Sequence, residues 1–212
     1  MGKTSDWLIP VGLVGLSAVP ILAGTVRLSQ IALGVVTAEN ARFLGAPVPD
    51  TLHIIAVALF SLLGALQFAP GLRRAYPYWH RRAGRVVVPA GLVAAVSGLW
   101  MAQYYALPPT DGVALYLTRL VVGVWMIFAL CRGYLAIRRR EVGAHRDWML
   151  RGYAIGMGAG TQVLTNVPYF VAVGMPDTAT RAALMWLGWA INAVVAEAII
   201  ARRHRPMARV VA

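Results

Sequence analysis

Long apolar runs, cut by short segments crowded with arginine, constrain this chain more than any other feature. From Trp7 it reads WLIPVGLVGLSAVPILAGTVR, and stretches of that kind recur almost to its end. A helix needs about 20 mainly apolar residues to cross the hydrocarbon of a bilayer. About six stretches qualify, over residues 7–27, 52–72, 86–106, 113–136, 149–173 and 182–201. They are long and lack the two-residue alternation of barrel strands, so their backbone must satisfy itself as helix. The expected fold class is therefore all-α, a polytopic membrane helix bundle of about six transmembrane helices. Residues 1–212 form a single integral membrane domain, with 202–212 as a basic tail. Pro10, Pro20, Pro70, Pro89 and Pro168 fall in or near the runs. Packed neighbours satisfy the carbonyls that proline frees, so kinks are expected rather than breaks.

Charge supports the same reading. Only 13% of residues are charged, against about 25% in an ordinary soluble domain. The net charge of +12 lies in clusters between the runs. A nucleic-acid-binding protein would spread it over one soluble face, so nucleic acid is not an expected partner. The segments after the second and fourth runs, with the tail, carry Arg73, Arg74, Arg81, Arg82, Arg85, Arg138, Arg139, Arg140, Arg146, Arg151, Arg202, Arg203, Arg205 and Arg209. The opposite loops carry Arg42 and Arg181 beside Glu39, Asp50, Asp111 and Asp177. Basic segments stay in the cytoplasm. The expected location is the bacterial inner membrane, multi-pass, with both termini cytoplasmic. The expected partner is the lipid bilayer, whose anionic headgroups at the cytoplasmic face attract each nearby arginine by about 1 kcal/mol. The N-terminal run follows a single lysine and shows no clear small-residue cleavage site, so it is expected to be a retained span.

Two basic segments echo each other, RRAYPYWHRR at 73–82 and RREVGAHR at 139–146. The arginines, with Tyr76, Tyr78, Trp79 and Trp148, read as anchors at the membrane interface. The histidines are less easily dismissed. His80 and His145 each open a helix on the same membrane face, and two such imidazoles can hold a haem iron between helices. A single haem b on His80 and His145 is one expectation. Stacked haems would need histidines about 14 residues apart on one helix, roughly 21 Å, and the chain has none so placed. One cysteine, Cys131, excludes an intrachain disulfide and multi-cysteine metal sites.

A charge within the bilayer costs at least about 2.5–3.5 kcal/mol, so each one needs a reason. Arg27, His53 and Arg119 map to the outer leaflet, with Gln30, Gln103, Gln162, Thr165 and Asn166 at similar depth. Arg27, His53, Arg119 and Asn166 are expected to line a polar pocket open to the outside, suited to an anion, a quinone or a lipid headgroup. The plainer reading lets both arginines snorkel to headgroups. Glu197 is expected to pair with Arg85, Arg132 or Arg151; a proton relay continued by Asn192 is the sharper alternative. The small residues GMGAGT at 156–161, with Gly91 and Gly98, permit close helix approach.

The segment LHIIAVALFSLLGALQFAPGLRRAYPYWHRRAGRVVVPAGLVAAVSGLW, with HRDWMLRGYA further on, resembles a family of bacterial predicted integral membrane proteins of unknown function. His53, Leu66-Gln67-Phe68, His80-Arg81, Gly84-Arg85, His145-Arg146 and Trp148-Met149 carry the resemblance. It implies an integral membrane domain and supplies no activity. A looser similarity is to transmembrane haem-b cytochromes, which implies haem as a cofactor.

No phosphate loop, H-E-x-x-H or G-x-S-x-G motif occurs, and no residue is assigned to catalysis. Three function classes remain. The first is a redox protein binding haem or quinone between helices. The second is a carrier or lipid- or anion-binding protein with an outer arginine pocket. The third is an accessory subunit without chemistry of its own.

Overall fold

The computed structural model describes residues 5–205, all of whose regular structure is helical. The helices are α1 (Ser5–Leu33), α2 (Ala41–Leu44), α3 (Pro47–Gln67), α4 (Pro70–Ala75), α5 (Pro77–Tyr104), α6 (Val113–Arg138), α7 (Val142–Gly156), α8 (Gly158–Val173) and α9 (Thr178–His204). Five of them, α1, α3, α5, α6 and α9, are long and apolar enough to cross a membrane. Their outward faces stay apolar: Leu22 is 65% exposed, Val121 69% and Val194 68%. Such a surface is stable against hydrocarbon and not against water. The chain is an all-helical membrane protein.

The helix bounds differ from the apolar runs for local reasons. Proline is favoured in the first turn, where its missing amide is not needed. Pro47 therefore starts α3 ahead of the run at 52–72, and Pro77 starts α5 ahead of the run at 86–106. The helix α5 thus includes the polar turn Tyr78-Trp79-His80-Arg81-Arg82. Phe68 ends α3, and Pro70 begins the short α4, so 68–72 leaves the second span. The stretch 149–173 is not one helix but parts of two, divided at Met157 between Gly156 and Gly158. Arg202, Arg203 and His204 form the last turn of α9, so the tail does not begin at 202; residues 206–212 lie outside the described residues.

Packing follows the small residues. Phe60 on α3 is 1% exposed and Leu130 on α6 is 0% exposed. Both reach Gly91 on α5, and Phe60 also reaches Gly156 on α7. Any side chain at those glycines would displace them, so close approach replaces the missing hydrophobic drive between helices in lipid. Tyr153 donates from its hydroxyl to Ser61 O at 2.8 Å, tying α7 to α3. At one end, Arg74 faces Asp6 at 3.4 Å and His204 meets Asp147 at 2.7 Å. The first turn of α1 and the last turn of α9 therefore share an end with the arginine clusters of α4–α5 and α6–α7. This is the basic end of the bundle.

Candidate functional site: a cavity behind a broken helix

The division at Met157 shapes the interior. Helix α7 packs along α6, whereas α8 packs on α1 and α9. Glycines allow that swing: Gly160 lies against the backbone of Leu16, and Gly158 against the Trp189 indole. The break frees a carbonyl, which must be satisfied in an apolar setting. Asn192 does this, donating from Nδ2 to Ala154 O at 3.0 Å while its Oδ1 accepts from Thr161 Oγ1 at 2.8 Å. Asn192 is thus the seam of the break rather than a relay partner of Glu197. Glu197 instead accepts both bonds of the Arg151 fork, at 2.6 and 2.9 Å.

Between α1, α3, α5, α6 and α8 lies a cavity of about 430 Å³. Its deep part is apolar, walled by Val57, Phe60, Met126 and Ile155. His53 and Gln162 line its middle, and Arg42, Tyr105, Asp111 and Arg119 line the end away from the basic clusters. A mostly apolar hollow of this size with a few converging polar groups is the usual form of a small-molecule site.

Asp111, in the loop between α5 and α6, organises the charged mouth. Its carboxylate is 2% exposed and meets Arg119 Nη1 at 2.7 Å and Arg181 Nε at 2.6 Å. Burial pushes the Asp111 carboxyl up, but the Arg181 hydrogen bond and the Arg119 charge together hold it below the ordinary aspartate value. Arg42, on α2, lies over the Phe43 ring at 4.5 Å and donates from Nη1 to Ala106 O at 3.0 Å. Burial, then the charges of Arg27 and Arg119, lower its pKa against the pull of Asp111 and Asp50. It stays charged all the same, because a guanidinium starts so high. Its Nε is buried with no hydrogen-bond partner among the described residues. Four guanidinium groups (Arg27, Arg42, Arg119, Arg181) face two carboxylates (Asp50, Asp111), leaving two positive charges uncompensated in this group.

His53 has one ring nitrogen committed. Nδ1 lies 2.9 Å from Ala94 O and 3.1 Å from Ser97 Oγ. Ser97 spends its own hydroxyl hydrogen on Val93 O at 2.6 Å. Gln162 donates from Nε2 to Met185 O at 2.9 Å.

The residues expected to form an outer pocket separate into two groups. His53 and Arg119 line the cavity. Arg27 sits behind it, 4.0 Å over Phe43 and 3.9 Å from Asp50. Asn166 turns toward its own helix, donating to Gln162 O at 2.8 Å, and Gln162 one turn earlier faces the cavity in its place. Gln30 bonds Asn40 at 3.2 Å and Gln103 accepts from Tyr116 Oη at 2.8 Å, and neither lines the cavity. Arg42, Tyr105 and Asp111 escaped the sequence reading. Their signal was the sparse charge of the loops opposite the basic end, which read only as evidence of orientation.

His80 and His145 stand at the basic end, away from the cavity. His145 Nδ1 lies 2.9 Å from Gly133 O, and His80 Nδ1 is buried with no hydrogen-bond partner among the described residues. Among the described residues no group of three or more His, Cys, Asp or Glu side chains is placed to hold a metal ion.

A family described as "Predicted membrane protein (DUF2306)" matches residues 51–200. That range runs from α3 through most of α9 and takes in His53, Asp111, Arg119 and the broken helix; α1 and Arg42 lie before it. No curated protein and no solved structure matches the chain.

Proposed function

We propose that this chain, which belongs to the DUF2306 family of predicted membrane proteins, holds a small amphipathic molecule between its helices. The apolar body of the ligand fills the cavity down to Phe60. Its head presents acceptor oxygens, as a carboxylate, phosphate or quinone carbonyl does, to Arg42 and Arg119. The observation that carries this reading is the charged mouth: Arg42 and Arg119 line a mostly apolar cavity, and the group they belong to holds four guanidinium groups against two carboxylates. The two uncompensated positive charges favour the same kind of head.

In this reading the protein crosses the bacterial inner membrane with its basic end in the cytoplasm, following the arginine asymmetry. The α7–α8 pair then forms a sixth, interrupted crossing, and the cavity opens toward the outer leaflet. Irregular backbone at membrane depth is tolerated where it lines a cavity or is buried in protein; Gly156 and Ala159, on either side of the break, line the cavity, and Met157 is buried in the core.

The test is extraction of the full-length chain from membranes in mild detergent, followed by mass spectrometry of the organic extract. Ala159 lines the cavity and is exposed there, so Ala159→Phe fills the space without displacing a core residue. The expected result is one enriched amphiphile in the wild type, depleted in Ala159→Phe and in Arg42→Gln. Its mass separates a lipid acid from a quinone. An extract of bulk lipid alone, unchanged in both variants, overturns the reading and leaves the accessory-subunit role.

A second reading, a haem on His80 and His145, is favoured by one feature. A carbonyl that holds His145 Nδ1–H leaves Nε2 for iron, the usual arrangement of a ligating histidine. A Soret band in the purified protein, lost in His145→Ala, supports it; a colourless protein refutes it.

A further inference from the structure

We infer that His53 presents only a hydrogen-bond acceptor to the cavity, and that the bound molecule therefore carries a hydroxyl donor as well as the acceptor that Arg42 takes. The inference rests on the cavity being a ligand site.

The tautomer follows from the partners. Ala94 O is a backbone carbonyl and can only accept, so His53 Nδ1, at 2.9 Å, must carry the hydrogen. Ser97 Oγ, at 3.1 Å, has already given its hydrogen to Val93 O and offers Nδ1 a second acceptor. Nδ1–H is therefore held between two acceptors. A second proton on Nε2 would place a cation with no carboxylate partner in a low-dielectric interior. Nε2 is left with a lone pair. It has no hydrogen-bond partner among the described residues, and His53 lines the cavity. Gln162 does not share this restriction: one of its two amide hydrogens goes to Met185 O, and the other hydrogen and Oε1 remain, so it can donate or accept.

The cavity is thus polarised in its hydrogen bonding. Donors stand at the mouth on Arg42 and Arg119, and an acceptor stands further in on His53. A ligand with acceptors alone satisfies the mouth and leaves His53 unpaired. A head with an acceptor oxygen at one side and a hydroxyl at the other satisfies both, which is the chemistry of a hydroquinone. The claim concerns binding only; no electron transfer is part of it.

The probes are decylubiquinol and decylubiquinone, which share one skeleton and differ by two hydrogens. Their retention by the full-length protein in nanodiscs of zwitterionic lipid is measured, with empty nanodiscs subtracted. A hydrogen bond made by one form and missed by the other is worth about tenfold. The wild type should hold the quinol about tenfold more tightly, which raises the midpoint potential of the bound couple by about 30 mV. His53→Leu should bring the ratio to about one and abolish the potential shift. Equal binding of the two forms by the wild type, or preference for the quinone, overturns the inference without touching the cavity reading. Binding of neither form overturns it too, and the extraction experiment then decides whether the cavity reading survives. The wild-type comparison decides the matter even if His53→Leu does not fold.

Discussion

Replacing Asp111 by Asn removes one negative charge from a carboxylate that is 2% exposed and joined to two arginines. Asn keeps the shape and an acceptor oxygen but can no longer neutralise both forks. Breaking a buried ion pair by removing one partner costs about 3–5 kcal/mol, because the remaining charge is stranded. Arg119 and Arg181 are 27% and 30% exposed, so water and headgroups recover part of that loss. The net cost should be about 2–4 kcal/mol, which lowers the midpoint of thermal unfolding by on the order of 10 °C in a chain of this length. The assay is intrinsic fluorescence of the detergent-solubilised protein at a fixed scan rate, since unfolding of such a protein is a rate as well as an equilibrium. Combining Asp111→Asn with Arg181→Gln should cost less than the sum of the two single changes, by about 1 kcal/mol or more. Acid should act in the same direction. The folded Asp111 carboxyl lies below its ordinary value, near 3.9 unfolded. Its contribution is therefore full above about pH 4 and is lost as pH falls through the lower folded value. The Asn variant should lack that part of the acid sensitivity. A change of under about 0.5 kcal/mol, or strict additivity with Arg181→Gln, would refute the ion cluster as the brace of the cavity mouth.

Other expectations follow from single contacts. Asn192→Leu leaves Ala154 O unpaired at the helix break and should cost about 1–3 kcal/mol by the same thermal assay, whereas Asn192→Gln should recover part of it. Gly160→Leu has no room against the Leu16 backbone, while Gly12 has nothing near it. The first should abolish folded protein in gel filtration, and Gly12→Leu should be neutral. A reporter fused after Arg205 should be active only in its cytoplasmic form, and one inserted in the Gly112 loop only in its exported form. The opposite pattern refutes the orientation drawn from the arginines.

The bundle was legible because lipid demands it: a run of about 20 apolar residues has few other uses. The helix ends were less so, since apolarity marks the hydrocarbon and not the helix. Pro47 and Pro77 carried the true starts, and their first-turn preference was the readable cue. The break at Met157 was hidden inside GMGAGT, which reads equally well as a tight packing face. What separates the two is that α8 follows α1 and α9 rather than α6, a tertiary fact. For the pocket, charge in apolar runs pointed to His53 and Arg119, and both line the cavity. Asn166 shares a helix face with Gln162 but stands one turn further along α8, where its amide is bonded to Gln162 O, and Gln162 alone of the two lines the cavity. Arg42 on α2 and Asp111 in the α5–α6 loop lie between the apolar runs, where charge is expected anyway, so nothing local distinguished them. Their role arises only when α2 and the α5–α6 loop fold over the mouth.

The claim on which most depends is that the space between His53, Arg42 and Phe60 is occupied by an amphiphile in the membrane. A structure of the full-length protein crystallised in a lipid mesophase tests it most directly. The account predicts elongated density with its apolar end against Phe60 and Met126 and its polar end within hydrogen-bond reach of Arg42 and His53 Nε2. Helix α8 closed onto α6, with side chains filling the space, would contradict it.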